Sequence, residues 1–149
     1  MDGGADPLKG DRVSALYLSG GNPLLFRDRL RATGLDRWIG SNATSPKPIP
    51  IVGASGGAML LTANLSLFRL LGDDLPTVLR ERDAFRGLAL ADLEVVPHFQ
   101  SQPAHLRALL PEYAASADAQ VWGLDDAAGL ACWDDGSLAT IGKVTRIEG

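Results

Sequence analysis

A serine flanked by glycines is the part of this sequence best suited to chemistry. Ser55 lies in Gly53-Ala54-Ser55-Gly56-Gly57, directly after the apolar run 48–52. The pattern G-x-S-x-G is typical of a sharp turn between a strand and a helix, which lifts a serine hydroxyl above the end of a buried strand. Similar patterns also occur in ordinary glycine-rich loops. The nucleophile interpretation therefore depends on the strand predicted before Ser55 and the helix predicted after it.

A serine hydroxyl becomes a nucleophile only when a nearby base takes its proton, and the sequence contains two histidines. His98 directly follows a predicted strand, so its imidazole is expected at the same sheet rim as Ser55. His105 lies inside a predicted helix between polar neighbours and is expected to face solvent. His98 is therefore the candidate base, with a purely structural histidine as the alternative.

A neutral imidazole in this role also needs an acceptor that fixes its tautomer, which is normally a carboxylate. Asp73 and Asp74 follow the predicted elbow helix, and Asp125 and Asp126 end a later predicted strand. Paired aspartates are also what turn chemistry alone selects. The spacing does not choose among the four.

An oxyanion formed during attack on a carbonyl needs backbone donors. The N–H of Gly56, next after the serine, is one candidate, and the loop Gly20-Gly21-Asn22 is a second source. The competing interpretation of that loop is a simple strand-to-helix turn.

The first half of the chain predicts the elements that would position these groups. A strand is predicted over 13–18, and Asn22 as cap with Pro23 at the first position predicts a helix to Thr33, stopped by Gly34. Phe26 and Leu30 are expected on its inner face, whereas its arginines are expected on the solvent face: Arg27, Arg29 and Arg31. Repeated strand-loop-helix units predict an α/β sheet with parallel strands, where ligands gather at the carboxyl ends.

The second half predicts a mainly helical stretch at 77–86, a strand before His98, a helix over about 103–113, and a strand at 119–124. Apolar residues at helical spacing predict the core face of that helix: Leu106, Leu109, Leu110 and Tyr113. Short runs over 129–147 around a turn predict a terminal antiparallel element. Residues 1–10 are expected to form a loose arm and 11–149 a single domain.

The composition and charge of the chain disfavour several classes of function. The net charge is −4 with no basic block, which disfavours a nucleic-acid partner. No apolar stretch reaches the roughly 20 residues that span a bilayer, and residues 1–6 lack the features of a secretory signal, so cytoplasmic residence is expected. The single cysteine, Cys132, allows no intrachain disulfide and is expected to be buried. No histidine and carboxylate cluster indicates a metal, and no cofactor is expected.

The order and spacing of four motifs resembles the peptidase E (aspartyl dipeptidase) and cyanophycinase family of serine peptidases. The resemblance runs from about Leu16 to the C-terminus and rests on these segments: Tyr17-Leu18-Ser19-Gly20-Gly21-Asn22, Gly53-Ala54-Ser55-Gly56-Gly57-Ala58, Pro97-His98-Phe99 and Gly123-Leu124-Asp125-Asp126. It implies a class I glutamine amidotransferase-like fold, a parallel-sheet three-layer sandwich. Family members usually carry further strands ahead of the Gly-Gly-Asn loop, so this chain is expected to be short of them, and a homodimer is expected to cover the exposed sheet edge.

The resemblance also implies roles for individual residues. Ser55 is the implied nucleophile and His98 the general base, with Gly20, Gly21 and Gly56 forming the oxyanion hole. The family's acid is expected soon after the elbow helix, which favours Asp74. Dipeptidase members use a basic residue beyond the histidine, where Arg107 is the nearest arginine, and Asn22 is the other expected substrate contact. Gly56 replaces the usual alanine, which is expected to loosen the elbow.

Two functions follow from these expectations. The first is a serine peptidase that hydrolyses dipeptides or other short peptides through an acyl-enzyme on Ser55. The second is a catalytically silent domain of the same fold that binds a small molecule or a protein. Cysteine is the nucleophile of a true glutamine amidotransferase, so Ser55 disfavours that activity.

Overall fold

The computed structural model describes residues 13–149, and the arm predicted over 1–10 lies outside them. The first part of the fold is a parallel pair of strands, β1 (Leu16–Leu18) and β2 (Ile51–Gly53), with Leu18 opposite Gly53. Between them lie α1 (Pro23–Thr33) and α2 (Leu35–Ala43), and α3 (Gly56–Leu60) follows β2. The predicted strand-loop-helix units are therefore present.

Local signals set the bounds of α1 as the sequence predicts. The Asn22 side chain accepts hydrogen bonds from the N–H groups of Leu24 and Leu25 at 3.0 and 3.2 Å. Gly34 takes a left-handed conformation, with φ 75°, and ends the helix. The expectation that Arg27 lies on the solvent face of this helix is wrong, because its side chain is buried. Its guanidinium reaches the carbonyl oxygen of Ala84 at 3.0 Å, a contact from a distant segment that helix periodicity does not reveal.

The middle of the chain is made of short helical pieces. A 3-10 helix (Ser66–Leu71) leads to α4 (Leu75–Arg80), and a second 3-10 helix (Arg82–Phe85) follows. The chain then enters β3 (Glu94–Pro97), a 3-10 turn (Phe99–Ser101) and α5 (Ala104–Ala117). The core face of α5 is confirmed, since Leu106, Leu110 and Tyr113 are buried and Leu109 packs against the core.

A second sheet and a hairpin complete the fold. β4 (Val121–Leu124) lies parallel to β3, and β7 (Val144–Ile147) lies antiparallel on the other side of β4. The hairpin of β5 (Gly129–Cys132) and β6 (Leu138–Ile141) forms a separate two-stranded sheet. The fold is therefore α/β with both parallel and antiparallel strand pairs.

Cys132 is exposed, so the expectation of a buried thiol is wrong. The reason is the placement of β5, which pairs only with β6 among the described strands and is not part of the three-stranded sheet. An apolar run in the sequence does not distinguish a strand in a covered sheet from one in an outlying hairpin.

The first pair of strands leaves one apolar surface open. Tyr17 and Val52 are register partners and are 64% and 52% exposed. The homodimer expected from an uncovered sheet stays a prediction. None of the helices over residues 13–149 is both long and apolar enough to cross a membrane. The cytoplasmic compartment likewise stays a prediction.

A buried polar network anchors the start of β3. The Tyr113 hydroxyl donates to the Glu94 carboxylate at 2.7 Å and lies 2.7 Å from the Ser66 hydroxyl, and Arg82 pairs with Glu94. Glu94 is 1% exposed, and its burial raises the pKa of its carboxyl group despite the arginine. The network lies at the opposite end of β3 from His98.

We expect Tyr113→Phe to lower the free energy of unfolding by about 2 kcal/mol, because buried oxygens of Ser66 and Glu94 lose a partner. The peptide hydrolysis expected from the sequence should stay unchanged, since His98 follows the other end of the strand. Urea denaturation measures the change in stability, and an assay for the expected peptide hydrolysis measures any change in activity. Unchanged stability would show that water or Arg82 replaces the hydroxyl.

Candidate active site

Ser55 lies on a strained turn between β2 and α3. Its backbone has φ 52° and ψ −118°, a conformation that L-residues with a side chain rarely adopt. Strain of this kind persists only where the surrounding structure imposes it, and it is concentrated at functional sites. The G-x-S-x-G pattern thus has the strand, turn and helix context that the sequence predicts.

Glycines allow the loop that follows β1, Gly20-Gly21-Asn22, to pack tightly against this turn. We call this segment the glycine loop. A Cβ atom at Gly56 would overlap the carbonyl oxygen of Gly21, and one at Gly57 would overlap that of Leu18. A Cβ at Gly20 would stand 3.3 Å from the Cβ of Ser55. Gly56 therefore permits a close contact between the elbow and the glycine loop that a Cβ would prevent, and the expectation that it loosens the elbow stays a prediction.

The same contact places candidate oxyanion donors next to the serine. Within residues 13–149, the backbone N–H groups of Gly21 and Gly56 donate no hydrogen bond to another backbone group outside helices and strands. Gly56 is the first residue of α3, where N–H groups have no partner inside the helix. Their donation to a substrate oxygen stays a prediction.

His98 stands at the carboxyl end of β3, and its side chain contacts Ser55. The distance between His98 Nε2 and Ser55 Oγ is 3.0 Å. His98 also has a left-handed backbone, with φ 54° and ψ 38°, and it precedes the 3-10 turn Phe99–Ser101. The second histidine, His105, is exposed on α5, as predicted.

The carboxylate beside His98 belongs to Asp126. Asp126 Oδ1 lies 2.6 Å from His98 Nδ1, so an Nδ1–H tautomer donates to the carboxylate and leaves Nε2 to accept from Ser55. The two side chains are 54% and 62% exposed, which makes this an open site at the protein surface. Asp126 reaches it because β3 and β4 are parallel neighbours, and their carboxyl ends meet.

The structure does not bring Asp74, the expected acid, to the histidine. Asp74 caps α4, where its carboxylate accepts from the N–H and the hydroxyl of Thr77 at 3.0 and 3.1 Å. These hydrogen bonds lower the pKa of Asp74. The expected pairing of His98 with Asp74 is therefore corrected to Asp126, because local capping engages the Asp74 carboxylate.

The other two candidate carboxylates also have partners elsewhere. Asp73 accepts a hydrogen bond from Arg69 at 2.7 Å, and Asp125 pairs with Lys143 at 3.3 Å. Within residues 13–149, no three histidine, cysteine or acidic side chains are grouped so as to hold a metal ion. The four aspartates thus separate into three with structural contacts and one at the site.

The two expected substrate residues occupy different settings. Asn22 follows Gly20 and Gly21 in the glycine loop, and its side-chain oxygen is engaged as the cap of α1. Arg107 is exposed on α5, in the first turn after Pro103. Their contact with a substrate stays a prediction.

Sequence reasoning missed Gln100. Its amide contacts Asp126 twice, accepting from the Asp126 N–H at 3.1 Å and donating to the carboxylate oxygen Oδ2. Its position two residues after a candidate histidine is the one signal that the sequence offers, and that signal has no meaning until the strand order is known.

Gly56→Ala restores the residue usual in the resembling family, yet we expect it to lower kcat at least about tenfold and stability by about 1–3 kcal/mol. The added methyl group must displace the carbonyl of Gly21, and with it the glycine loop. Gly40→Ala is the control, since a Cβ at Gly40 meets no atom within 4 Å. Wild-type kcat in Gly56→Ala would show that the loop position does not matter.

Together, the α/β fold and a serine, histidine and aspartate that follow three strands and lie one after the other within hydrogen-bonding distance define a protein of the serine hydrolase class. The sequence pattern of Peptidase family S51 matches residues 9–139. The chain belongs to Peptidase family S51, a family of serine-type peptidases, which confirms the resemblance to peptidase E. No curated protein matches it.

Two solved structures are similar to the fold. One, from Listeria monocytogenes EGD-e, is assigned as a peptidase E protein and superposes with a TM-score of 0.60 at 18% identity, over 91% of this chain and 59% of its own. The other, a peptidase from an acI-B1 Actinobacterium, gives a TM-score of 0.61 at 21% identity, over 92% of this chain and 54% of its own. The chain thus spans between half and two thirds of the length of these proteins.

Proposed function

We propose that this chain is a serine peptidase acting on dipeptides or other short peptides, with Ser55, His98 and Asp126 as its catalytic triad. The observation that carries the proposal is the continuous hydrogen-bonded chain from Ser55 Oγ through the imidazole to Asp126, at 3.0 and 2.6 Å. Membership of Peptidase family S51 supports the same reaction class.

The proposed reaction begins with Ser55 Oγ attacking the peptide carbonyl carbon while His98 Nε2 takes the hydroxyl proton. Asp126 stabilises the resulting imidazolium. The N–H groups of Gly21 and Gly56 stabilise the negative oxygen of the tetrahedral intermediate. His98 then gives its proton to the leaving amine, and the C–N bond breaks to leave an acyl group on Ser55.

Water completes the cycle. His98 Nε2 takes a proton from water as it attacks the acyl carbon, and the proton returns to Ser55 Oγ as the ester bond breaks. The open, exposed position of His98 and Asp126 supports access for water and for the ends of a short peptide.

We further propose that the class I glutamine amidotransferase-like sandwich describes the arrangement of this domain. The parallel pairs β1–β2 and β3–β4 support it.

The test combines covalent labelling with a peptide panel. Diisopropyl fluorophosphate should phosphorylate Ser55, with loss of fluoride, and peptide mapping should place the added mass on that residue. Ser101→Ala, which removes an exposed serine, is the control for the labelling and should be labelled like the wild type. The dipeptides Asp-Leu, Glu-Leu and Ala-Leu should be compared as substrates. A folded protein that is neither labelled nor active on any peptide would contradict the proposal and favour the silent binding domain.

A further inference from the structure

The side-chain amide of Gln100 holds Asp126 at two points. The amide oxygen accepts from the Asp126 backbone N–H at 3.1 Å, and the amide nitrogen donates to Oδ2. The other carboxylate oxygen, Oδ1, is the one that faces His98 Nδ1. Gln100 thus fixes both the backbone and the side-chain rotation of Asp126, and it leaves Oδ1 aimed at the imidazole.

Within residues 13–149, the hydrogen bonds of the Asp126 side chain go to His98 and Gln100 alone. Its side chain is 62% exposed and lies in the turn after β4, next to Ala127 with a left-handed backbone. An exposed carboxylate rotates and exchanges its partners for water unless neighbouring groups restrain it. The hydrogen bond to His98 alone joins two exposed side chains, which is a weak restraint on geometry.

One 3-10 turn carries both the histidine and the glutamine. His98 precedes the turn, and its carbonyl accepts from the N–H of Ser101 at 2.9 Å. Phe99, between them, packs against β4, where a Cβ at Gly123 would overlap its ring. The turn is therefore anchored to β4 three residues before Asp126, and it presents His98 and Gln100 to the same carboxylate.

We propose that Gln100 is a positioning residue of this site, which sets the carboxylate of Asp126 so that His98 carries its proton on Nδ1 and keeps Nε2 free for the serine. The catalytic consequence rests on the proposed peptidase function. The effect on the histidine tautomer does not, because it concerns only hydrogen bonds within the folded protein.

The first experiment measures the tautomer directly. With nitrogen-15 in both histidines, long-range proton–nitrogen spectra at a pH where the imidazoles are neutral should show His98 protonated on Nδ1. His98→Ala assigns its signals, and exposed His105 serves as the internal control. Gln100→Leu should move the His98 signals toward the Nε2–H tautomer and leave those of His105 unchanged. Unmoved His98 signals would overturn the proposal whether or not the protein is an enzyme.

The second experiment is a double-mutant cycle on turnover or on fluorophosphate labelling. Gln100→Leu should lower kcat about tenfold with little change in KM, but should cost nothing further in an Asp126→Ala background. Gln100→Glu keeps the shape of the side chain but places a second carboxylate beside that of Asp126. It should therefore lower kcat at least as much as Gln100→Leu does. Ser101→Ala, in the same turn, should match the wild type.

The outcomes separate the two proposals. Equal losses from Gln100→Leu in both backgrounds would mean that Gln100 only supports the turn, which overturns its positioning role. An inactive and unlabelled wild type that still shows the Gln100-dependent tautomer would contradict the peptidase function and leave the role of Gln100 standing.

Discussion

Asp126→Asn is expected to lower kcat about 10³-fold or more, whereas Asp74→Asn should leave it unchanged. The asparagine amide at position 126 can donate to His98 Nδ1, which moves the imidazole proton to Nε2. That nitrogen then no longer accepts the Ser55 proton across the observed 3.0 Å. Initial rates on the best peptide of the panel measure the effect.

Asp74→Asn is the matched control, because it makes the same chemical change at the rival carboxylate. Asparagine caps helices about as well as aspartate, so α4 should persist. A large loss of activity in Asp74→Asn, with none in Asp126→Asn, would contradict the triad. Circular dichroism of both variants checks that each remains folded.

The pH dependence of stability distinguishes Asp74 further. Hydrogen bonds from Thr77 lower the pKa of Asp74 in the folded protein below its value in the unfolded chain. Its ionised form therefore stabilises the fold above the unfolded-state pKa, and this contribution is lost as the pH falls through the folded-state pKa. Asp74→Asn should remove that part of the acid dependence.

Replacing Ser55 should give the largest loss of activity and should also reveal the strain in the turn. Ser55→Ala and Ser55→Gly are both expected to lower kcat about 10⁴-fold or more, because each removes the nucleophile. The two variants should differ in stability. Alanine keeps the disfavoured conformation at φ 52°, whereas glycine adopts it readily, so we expect Ser55→Gly to be more stable by about 1 kcal/mol.

Urea denaturation of the two variants measures this difference in stability. Because both variants lack the hydroxyl group, its loss does not contribute to the difference. Gly40→Ala, on the exposed surface of α2, reports the ordinary effect of exchanging these two residues in relaxed backbone. If Ser55→Ala were more stable than Ser55→Gly by as much as Gly40→Ala is more stable than the wild type, the turn would carry no strain. Residual turnover in both would mean that the nucleophile is another group.

Features that depend on neighbouring residues could be predicted from the sequence. Asn22, Pro23 and Gly34 define the ends of α1 because caps and left-handed turns are local. Ser55 and its glycines predict the strand, turn and helix for the same reason. His98 could be selected because one of only two histidines follows a strand, and the motif order was sufficient to indicate the family.

Tertiary structure decided which carboxylate meets His98. Four aspartates had equal claims from turn chemistry, and their sequence separation from His98 carried no information about distance. The parallel pairing of β3 with β4 brought Asp126 and Gln100 together, whereas helix capping engaged Asp74. Burial of Arg27 and exposure of Cys132 were decided in the same way. These outcomes depend on contacts between segments far apart in the chain, which no local pattern encodes.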